Sequence, residues 1–416
     1  MKILQLSSDD IKGGAARAAF RLHQGFRAAG AHSQMLVRSK ESSDPSVIVE
    51  KSVLTKLGPP SSGLPLNCFA KDFQGLFSCQ WLPDSISSVV EKLNPDIIHL
   101  HWICNGFVQV ETLPKLNKPL VWTLHDMWAF TGGCHYTRGC HRYMEKCGEC
   151  PQLRSNSQRD LSRWVWHRKA KAWRDLNLTI VTPSHWLAKC ASQSPLLEGY
   201  RIEVIPNGID TAVYRPINKE NARDLLGLPQ NKRLILFSSM DPGDSRKGFA
   251  FLEQAIRVLS ETQPEEDIEL VILGACQSEK ISNLGFKANF LGRLSDELSL
   301  ALAYSCADVF VAPSVQENLP NTVMEALACG IPCVAFKLGG LPDMIEHERS
   351  GYLAIPEDSY DLARGISWVL ENESRYFYLS NAAREKAISE YSLERVSNMY
   401  LSIFSNTLNK ERLGKS

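Results

Sequence analysis

The segment from Ser314 to Ala326 places two carboxylates, Glu317 and Glu325, around a change from an apolar strand to a helical pattern. Ligands of open α/β sheets bind outside the carboxyl ends of the strands, where this segment begins. The helix that starts after Pro320 offers N–H groups and a partial positive charge that favour a diphosphate. Each carboxylate can accept hydrogen bonds from vicinal hydroxyls of a ribose or hexose. An acidic helix N-terminus followed by one solvated glutamate is the simpler interpretation of the same residues.

Basic residues and glycines supply further candidates for contact with phosphate groups. Arg246 and Lys247 precede Gly248, and a fixed cation at this place stabilises the charge that grows on a departing phosphate group. Gly13 and Gly14 follow the first predicted strand, and without a Cβ their backbone can approach a diphosphate or an acceptor closely. A solvated basic pair at a helix start and an ordinary turn are the simpler interpretations.

Two histidines end neighbouring apolar strands in the first half of the chain. His101 ends the strand that begins at Ile97, and His125 follows Leu120–Leu124. Strand ends of an open α/β sheet face its binding crevice. We therefore expect His125 to contact a ligand, whereas the sequence leaves His101 open between a functional and a structural role.

Alternating strand and helix patterns organise the whole chain of 416 residues. This alternation predicts an α/β fold built from doubly wound parallel sheets, and the length predicts two domains. Turn residues at Pro206–Asp210 interrupt the pattern, which restarts at Leu234. The domains expected from this break are 1–208 and 209–385, followed by C-terminal helices over 386–416.

Composition and charge exclude several classes of protein. Lys plus Arg and Asp plus Glu number 46 each, so the basic excess of a dedicated nucleic-acid binder is missing. No apolar stretch approaches the roughly 18–20 residues of a membrane span, and the run after Met1 is too short for a secretory signal. We expect a cytoplasmic protein that binds no nucleic acid. A dinucleotide oxidoreductase would carry G-x-G-x-x-G after the first strand, and Asp10–Ala15 does not supply it.

The two glutamates of Ser314–Ala326 resemble the E-x7-E motif of the retaining glycosyltransferases of family 4. The glycine-containing segments that follow them in the chain, Gly330–Val334 and Gly339–Asp343, are part of this resemblance. The resemblance extends over most of the chain and is densest from Ser238 to Glu357. That family has the GT-B fold, in which two Rossmann-like domains face each other across a cleft. The resemblance implies that the N-terminal domain binds the acceptor, that the C-terminal domain binds the nucleotide sugar, and that the terminal helices cross back onto the first domain.

The resemblance also assigns roles in the donor site. It implies that Glu325 holds the donor ribose, that Glu317 contacts the donor sugar and that Lys247 neutralises the diphosphate. It makes His125 a contact of the donor sugar or of the acceptor, and it gives the Gly13-Gly14 turn the place of the family's N-terminal phosphate-approach loop. Backbone groups that meet the sugar and the phosphates are implied around Asn318, Leu319 and Pro320.

The implied activity is transfer of a sugar, in the first place a hexose, from a nucleotide-sugar donor to a glycan or lipid-linked acceptor with retention of the anomeric configuration. The family usually has an arginine several residues before the lysine. Phe237–Asp244 contains none, so either Arg246 takes its place or phosphate binding depends more on Lys247. No Asp-x-Asp pair suits a contact between a metal and a diphosphate, so no catalytic divalent metal is expected. A nucleotide-sugar 2-epimerase of the same fold and a non-catalytic, zinc-bearing interaction protein are the alternatives.

Four of the 12 cysteines crowd into a segment of the N-terminal domain, 128–153, that we interpret as an insertion. In a chain without an export signal, such clustering favours thiols or metal ligands over a disulfide framework. We predict one structural Zn²⁺ bound by four thiolates, with His135 and His141 as alternative ligands. The predicted ligands are Cys134, Cys140, Cys147 and Cys150. Reduced thiols or a pair of disulfides are the alternative.

A basic amphipathic helix is predicted directly after this insertion. One face carries basic side chains, and tryptophans flank it: Arg163, His167, Lys171 and Arg174, with Trp164, Trp166 and Trp173. Such a helix can lie in a membrane interface, which would place the protein peripherally on the inner face of the membrane. A surface helix that packs on its own sheet is the commoner interpretation.

Overall fold

The computed structural model of the protein describes residues 1–69, 75–239, 244–262, 267–274 and 285–414. The chain divides into two units, one formed by Met1–Gly208 with Glu394–Ser416 and the other by Ile209–Leu393. Each unit contains a parallel sheet whose strands are joined through helices. The predicted α/β fold with two Rossmann-like domains is therefore confirmed.

The first unit is built on one parallel sheet. Its strands are β1 (Lys2–Asp9), β2 (His32–Ser39), β3 (Val47–Val49), β4 (Ile97–Leu100), β5 (Leu120–Thr123), β6 (Leu178–Thr182) and β7 (Arg201–Val204). Within the described residues the order is β3-β2-β1-β4-β5-β6-β7. The α-helices are α1 (Gly14–Ala28), α2 (Val53–Ser62), α3 (Leu64–Phe69), α4 (Ile86–Leu93), α5 (Leu161–Ala172) and α6 (His185–Ser192). β4, β5 and β6 are buried along their whole length, which explains their nearly continuous apolar sequence.

The second unit repeats this plan. Its strands are β8 (Arg233–Ser239), β9 (Ile268–Gly274), β10 (Lys287–Gly292), β11 (Val309–Ala312), β12 (Cys333–Phe336) and β13 (Gly351–Ala354). Among the residues described, they lie in the order β10-β9-β8-β11-β12-β13. The helices are α7 (Lys219–Leu226), α8 (Phe249–Thr262), α9 (Glu297–Ser305), α10 (Asn321–Ala328), α11 (Leu341–Met344), α12 (Ser359–Leu370) and α13 (Glu373–Tyr391). A short 3-10 turn, Ser245–Lys247, precedes α8.

The last helix, α14 (Leu393–Gly414), packs on the sheet of the first unit. Its Val396, Tyr400 and Phe404 join an apolar cluster with Leu22 and Phe26 of α1. The ring of Phe26 lies 5.4 Å from that of Phe404 and 6.1 Å from that of Tyr400, between centroids. Burial of this aromatic face ties the end of the chain to its first strand and helix.

Each sheet has a switch point where the chain changes direction across the sheet. In the first unit β2 and β3 lie on one side of β1, and β4 lies on the other; in the second, β9 and β10 lie on one side of β8, and β11 lies on the other. Ligands of open α/β sheets bind at such points, outside the carboxyl ends of the strands. These two edges of the sheets are therefore where a functional site is expected.

Candidate active site

Lys247 and Glu317 form an ion pair at the switch point of the second sheet. Lys247 Nζ lies 2.5 Å from Glu317 Oε2, although 70 residues separate the two in sequence. The Glu317 residue is 8% exposed, whereas 41% of the Lys247 side chain is exposed. The structure thus brings together two of the residues that the sequence predicted for one site, with the cation on the solvent side.

Two glycines allow the backbones behind this pair to approach each other. Gly248 has φ +68°, and a Cβ there would lie 1.8 Å from the carbonyl oxygen of Pro313. Gly339 has φ +58°, and a Cβ there would lie 2.1 Å from the carbonyl oxygen of Glu317. That carbonyl accepts a hydrogen bond from the N–H of Gly340 at 3.1 Å. Side chains at these two positions would push apart the segments that carry Lys247 and Glu317.

Arg246 lies in the same turn as Lys247 and holds it against the loop after β11. Its carbonyl accepts a hydrogen bond from the N–H of Val315 at 2.8 Å, and its guanidinium pairs with Asp244 at 2.6 Å. The guanidinium therefore has an anionic partner within its own turn, which reduces the charge it offers to a phosphate. Within the stretch that lacks the usual family arginine, residues 240–243 lie outside the described part of the chain.

The backbone from Asn318 to Pro320 leads into α10. Asn318 and Leu319 are 3% and 6% exposed, and Pro320 takes the N-cap position of the helix. Proline has no side-chain oxygen that could accept from the first N–H groups of the helix. An incoming anion is one kind of partner that suits such a helix start.

Glu325 lies in the second turn of α10 and is 3% exposed. Its carboxylate accepts a hydrogen bond from the hydroxyl of Tyr304 in α9 at 2.9 Å. Burial, together with the charge of Glu325, raises the pKa of Tyr304 well above its ordinary value, so the phenol stays protonated and donates. Glu325 is therefore not the solvated glutamate of the simpler interpretation, because α9 packs over this face of α10. Tyr304 gave no signal in the sequence, since it stands in an apolar helical pattern.

His125 follows β5 in the first unit, and the structure pairs it with His101. The Nε2 atom of His125 lies 3.0 Å from Nδ1 of His101, and the two rings stack with centroids 5.3 Å apart. Burial lowers the pKa of His125 to about 4, so its imidazole is neutral near pH 7. A neutral imidazole can donate one hydrogen bond and accept another, which suits contact with a sugar hydroxyl.

Gly13 caps the start of α1 with φ +92°, a conformation that favours glycine. Apart from its chain neighbours and the backbone of its own helix, no atom of the described residues lies within 4 Å of the place that a Cβ on Gly13 would take. Glycine here is thus required by the backbone conformation and not by a close neighbour in the protein. Gly14 is the first residue of the helix.

The four clustered cysteines line one small cavity, together with Gly132, Arg142 and Tyr143. Cys147, Gly148 and Glu149 have positive φ, which bends the chain into a tight knuckle, and Gly132 donates its N–H to Cys147 Sγ at 3.2 Å. In the part of the chain that the structure describes, no three His, Cys, Asp or Glu side chains are arranged so that they could hold a metal ion. The zinc site therefore stays a prediction.

His135, one of the alternative zinc ligands, is engaged elsewhere. Its Nδ1 lies 2.6 Å from Asp126 Oδ2, and its Nε2 lies 2.9 Å from Ser78 Oγ. With both ring nitrogens in hydrogen bonds and only 2% of the residue exposed, His135 does not serve as a ligand in this arrangement.

Comparison with known families matches both halves of the chain. Residues 12–213 match the family model described as Glycosyltransferase Family 4, and residues 231–372 match the model described as Glycosyl transferases group 1. The chain is 26% identical over 331 residues to D-inositol 3-phosphate glycosyltransferase of Pseudarthrobacter chlorophenolicus, covering 74% of this chain and 72% of the relative. It is 24% identical over 384 residues to the putative colanic acid biosynthesis glycosyl transferase WcaC of Escherichia coli, covering 86% and 88%.

Solved structures with the GT-B fold are similar over nearly the whole chain. Sucrose-phosphate synthase of Thermosynechococcus elongatus has a TM-score of 0.71 at 20% identity, covering 98% of this chain and 99% of its own. HepE of Anabaena in complex with UDP-glucose has a TM-score of 0.66 at 18% identity, covering 98% and 100%. At these identities the likeness shows the fold alone, and it confirms the predicted GT-B class.

Proposed function

We propose that this chain, which belongs to the family 4 (group 1) glycosyltransferases, moves a hexose from a nucleotide-sugar donor to a glycan or lipid-linked acceptor with retention of the anomeric configuration. The observation that carries the proposal is the Lys247–Glu317 ion pair at the carboxyl edge of the second sheet, beside the start of α10. A cation, a carboxylate and helix N–H groups at one strand edge together meet the needs of a sugar diphosphate.

The ion pair changes partners when the donor binds. Without a donor, the Glu317 carboxylate balances the charge of Lys247. In the proposed complex the diphosphate takes over this role, and the Glu317 oxygens accept hydrogen bonds from hydroxyls of the donor sugar. Lys247 then stabilises the negative charge that develops as the nucleoside diphosphate leaves.

Retention follows from a front-face displacement in this proposal. A double displacement needs a carboxylate nucleophile paired with a second carboxyl about 5–5.5 Å away. Here Glu317 is paired with Lys247, and Glu325 is buried against Tyr304. We therefore propose that a phosphate oxygen of the donor takes up the proton of the acceptor hydroxyl. The bond from the anomeric carbon to that phosphate breaks while the acceptor oxygen bonds to the same face of the sugar.

The other predicted residues take the roles that the family pattern implies. Glu325 holds the ribose hydroxyls, as in the family pattern, while neutral His125 contacts a sugar oxygen of donor or acceptor. Gly13 and Gly14 give the acceptor side a backbone that ligand groups can approach. Charge on the diphosphate is carried by Lys247 and the start of α10, so the proposed reaction needs no divalent metal.

A panel of nucleotide sugars tests the donor. UDP-glucose is the first compound to try, since the HepE structure holds it, followed by GDP- and ADP-hexoses. A donor that binds only the folded protein raises its thermal midpoint. Product NMR with an acceptor then reads the anomeric configuration, in buffer with and without EDTA. An inverted product or strict dependence on Mg²⁺ or Mn²⁺ would contradict the mechanism, and conversion of the donor alone would favour the 2-epimerase.

The basic helix supports a second proposal, which is docking on an anionic membrane near a lipid-linked acceptor. The structure corrects part of the predicted surface, because Trp166 and Trp173 are 6% and 1% exposed and Arg163 donates to the Cys147 carbonyl. Of the predicted basic face and its tryptophans, the side chains that remain exposed are Trp164, His167 and Lys171 in α5 and Arg174 just after its end. No helix in the described residues has the length and apolarity to cross a membrane.

Exposed apolar side chains of α2 also suit contact with a membrane surface. Helix α3 contacts both α5 and α2, and α2 exposes Val53, Leu54 and Leu57 by 70%, 43% and 53%. Each basic residue near an anionic surface is worth about 1 kcal/mol. We expect sedimentation with anionic vesicles that weakens with salt and is lost in Lys171→Glu/Arg174→Glu. Equal binding to neutral vesicles, or equal loss in a control with charges reversed at Lys92 and Lys115, would refute it.

A further inference from the structure

The side-chain amide of Gln5 in β1 has a single orientation that its neighbours allow. Gln5 is fully buried, and its amide reaches two backbone groups of α1, the carbonyl of Ala19 at 3.1 Å and the N–H of His23 at 3.2 Å. The carbonyl can only accept and the N–H can only donate. The amide nitrogen of Gln5 therefore faces Ala19, and its oxygen faces His23.

This orientation determines where His101 carries its proton. The Gln5 amide nitrogen, placed toward Ala19, is also 2.8 Å from Nε2 of His101. Because that nitrogen only donates, His101 Nε2 must accept. Burial lowers the pKa of His101 well below its ordinary value, so the ring is neutral and carries its one proton on Nδ1.

His101 passes the constraint on to His125. Its protonated Nδ1 lies 3.0 Å from Nε2 of His125 and donates to it. A neutral His125 whose Nε2 accepts a hydrogen bond carries its proton on Nδ1. In this row of hydrogen bonds the Gln5 amide thus donates to His101, and His101 donates to His125.

We infer that Gln5 is a positioning residue that sets the tautomer of His125 through His101. The consequence for catalysis rests on the proposed function: His125 meets the sugar as an Nδ1–H donor, so its partner is an oxygen that accepts. The strand order places β1 next to β4, with Gln5 opposite His99 in the register, and this pairing brings Gln5 close to His101.

Nitrogen-15 NMR of the imidazoles tests the inference without any substrate. In the wild type at pH 7 we expect His101 and His125 each to be protonated on Nδ1 and unprotonated on Nε2, with the signals assigned by their loss in His101→Gln and His125→Gln. In Gln5→Met, which removes the donor at similar volume, both rings should become mixtures of tautomers. Protonated Nε2 on His125 in the wild type would overturn the inference even if Gln5→Met failed to fold.

A transfer assay separates the tautomer from the proposed activity. We expect Gln5→Met to lower kcat by about 10-fold, the effect of a misdirected hydrogen bond of about 1.4 kcal/mol, with the donor KM less affected. Ser33→Ala is the matched control, since Ser33 Oγ lies 3.4 Å from the Gln5 amide and 2.8 Å from His23 but outside the relay. Its tautomers and kcat should match the wild type. Tautomers unchanged in Gln5→Met would refute the relay, whereas expected tautomers with full activity in His125→Gln would refute only the role of His125.

Discussion

Replacement of Lys247 by alanine separates the catalytic role of its charge from a structural one. The proposed mechanism uses Lys247 to stabilise the departing diphosphate, and removal of one such contact typically lowers kcat by about 10²–10³, or about 2.7–4 kcal/mol of barrier. The cost to folding should be small. The Lys247 side chain is 41% exposed, and an ion pair of that exposure contributes about 0–1 kcal/mol to stability.

The assay measures kcat, donor KM and the thermal midpoint for Lys247→Ala beside a matched control. Lys287 also pairs with a largely buried glutamate, Glu269, at 3.3 Å, but it begins β10 at the amino edge of the same sheet. Lys287→Ala should therefore leave kcat within about 2-fold of the wild type. The partner of Lys247 is tested with Glu317→Gln. Its effect on kcat should not be additive with that of Lys247→Ala in the double variant, because the two side chains are in contact.

Two outcomes would refute this reasoning about Lys247. The first is a kcat for Lys247→Ala within about 3-fold of the wild type, since no charge-stabilising contact would then have been lost. The second is a fall in kcat that follows a fall in the thermal midpoint, or an equal fall in Lys287→Ala, since the pair would then act through the fold.

Three further predictions concern Glu325, His23 and the cysteine cluster. Glu325→Ala should lower the free energy of unfolding by about 1–3 kcal/mol because the buried Tyr304 hydroxyl loses its acceptor. Glu325→Gln should fold normally but bind the nucleotide sugar less tightly. Equal thermal midpoints for the two variants would contradict this prediction. Burial lowers the pKa of His23 to about 4, so between pH 6.5 and 4 the unfolded chain binds more protons than the folded one. The free energy of unfolding should therefore fall as pH is lowered through that window, by about 2 kcal/mol at pH 5. Denaturant titrations should show this loss in the wild type but not in His23→Gln. Elemental analysis of protein purified without chelator should find one zinc per chain that disappears in Cys147→Ser/Cys150→Ser, and a zinc content that those substitutions leave unchanged would exclude the site.

Local patterns in the sequence were enough to predict the class of fold. Period and length of the apolar runs distinguish strands from helices, and their alternation predicts parallel sheets. The strands that begin near Ile97, Leu120 and Leu234 lie where they were predicted. Val47–Val49 and Gly351–Ala354 escaped prediction, because three or four residues at a sheet edge carry too little pattern to be distinguished from a loop.

The motifs also singled out Lys247 and Glu317 as candidates, because strand ends and glycine turns are visible in sequence. What the sequence could not decide was which side chains meet. The two residues are 70 positions apart, and their contact at 2.5 Å depends on β8 and β11 lying side by side. Strand neighbours of this kind are set by the topology of the sheet and leave no local trace.

Burial and proton positions were likewise decided only by tertiary structure. A solvated glutamate was one interpretation of the sequence around Glu325, yet α9 covers this residue and Tyr304 donates a hydrogen bond to it. The sequence left the role of His101 open, and only the adjacency of β1, β4 and β5 joins Gln5, His101 and His125 in one relay. A residue type and its spacing determine what chemistry a side chain can perform, whereas its partners, its exposure and the location of its proton depend on segments distant in the chain that only folding brings together.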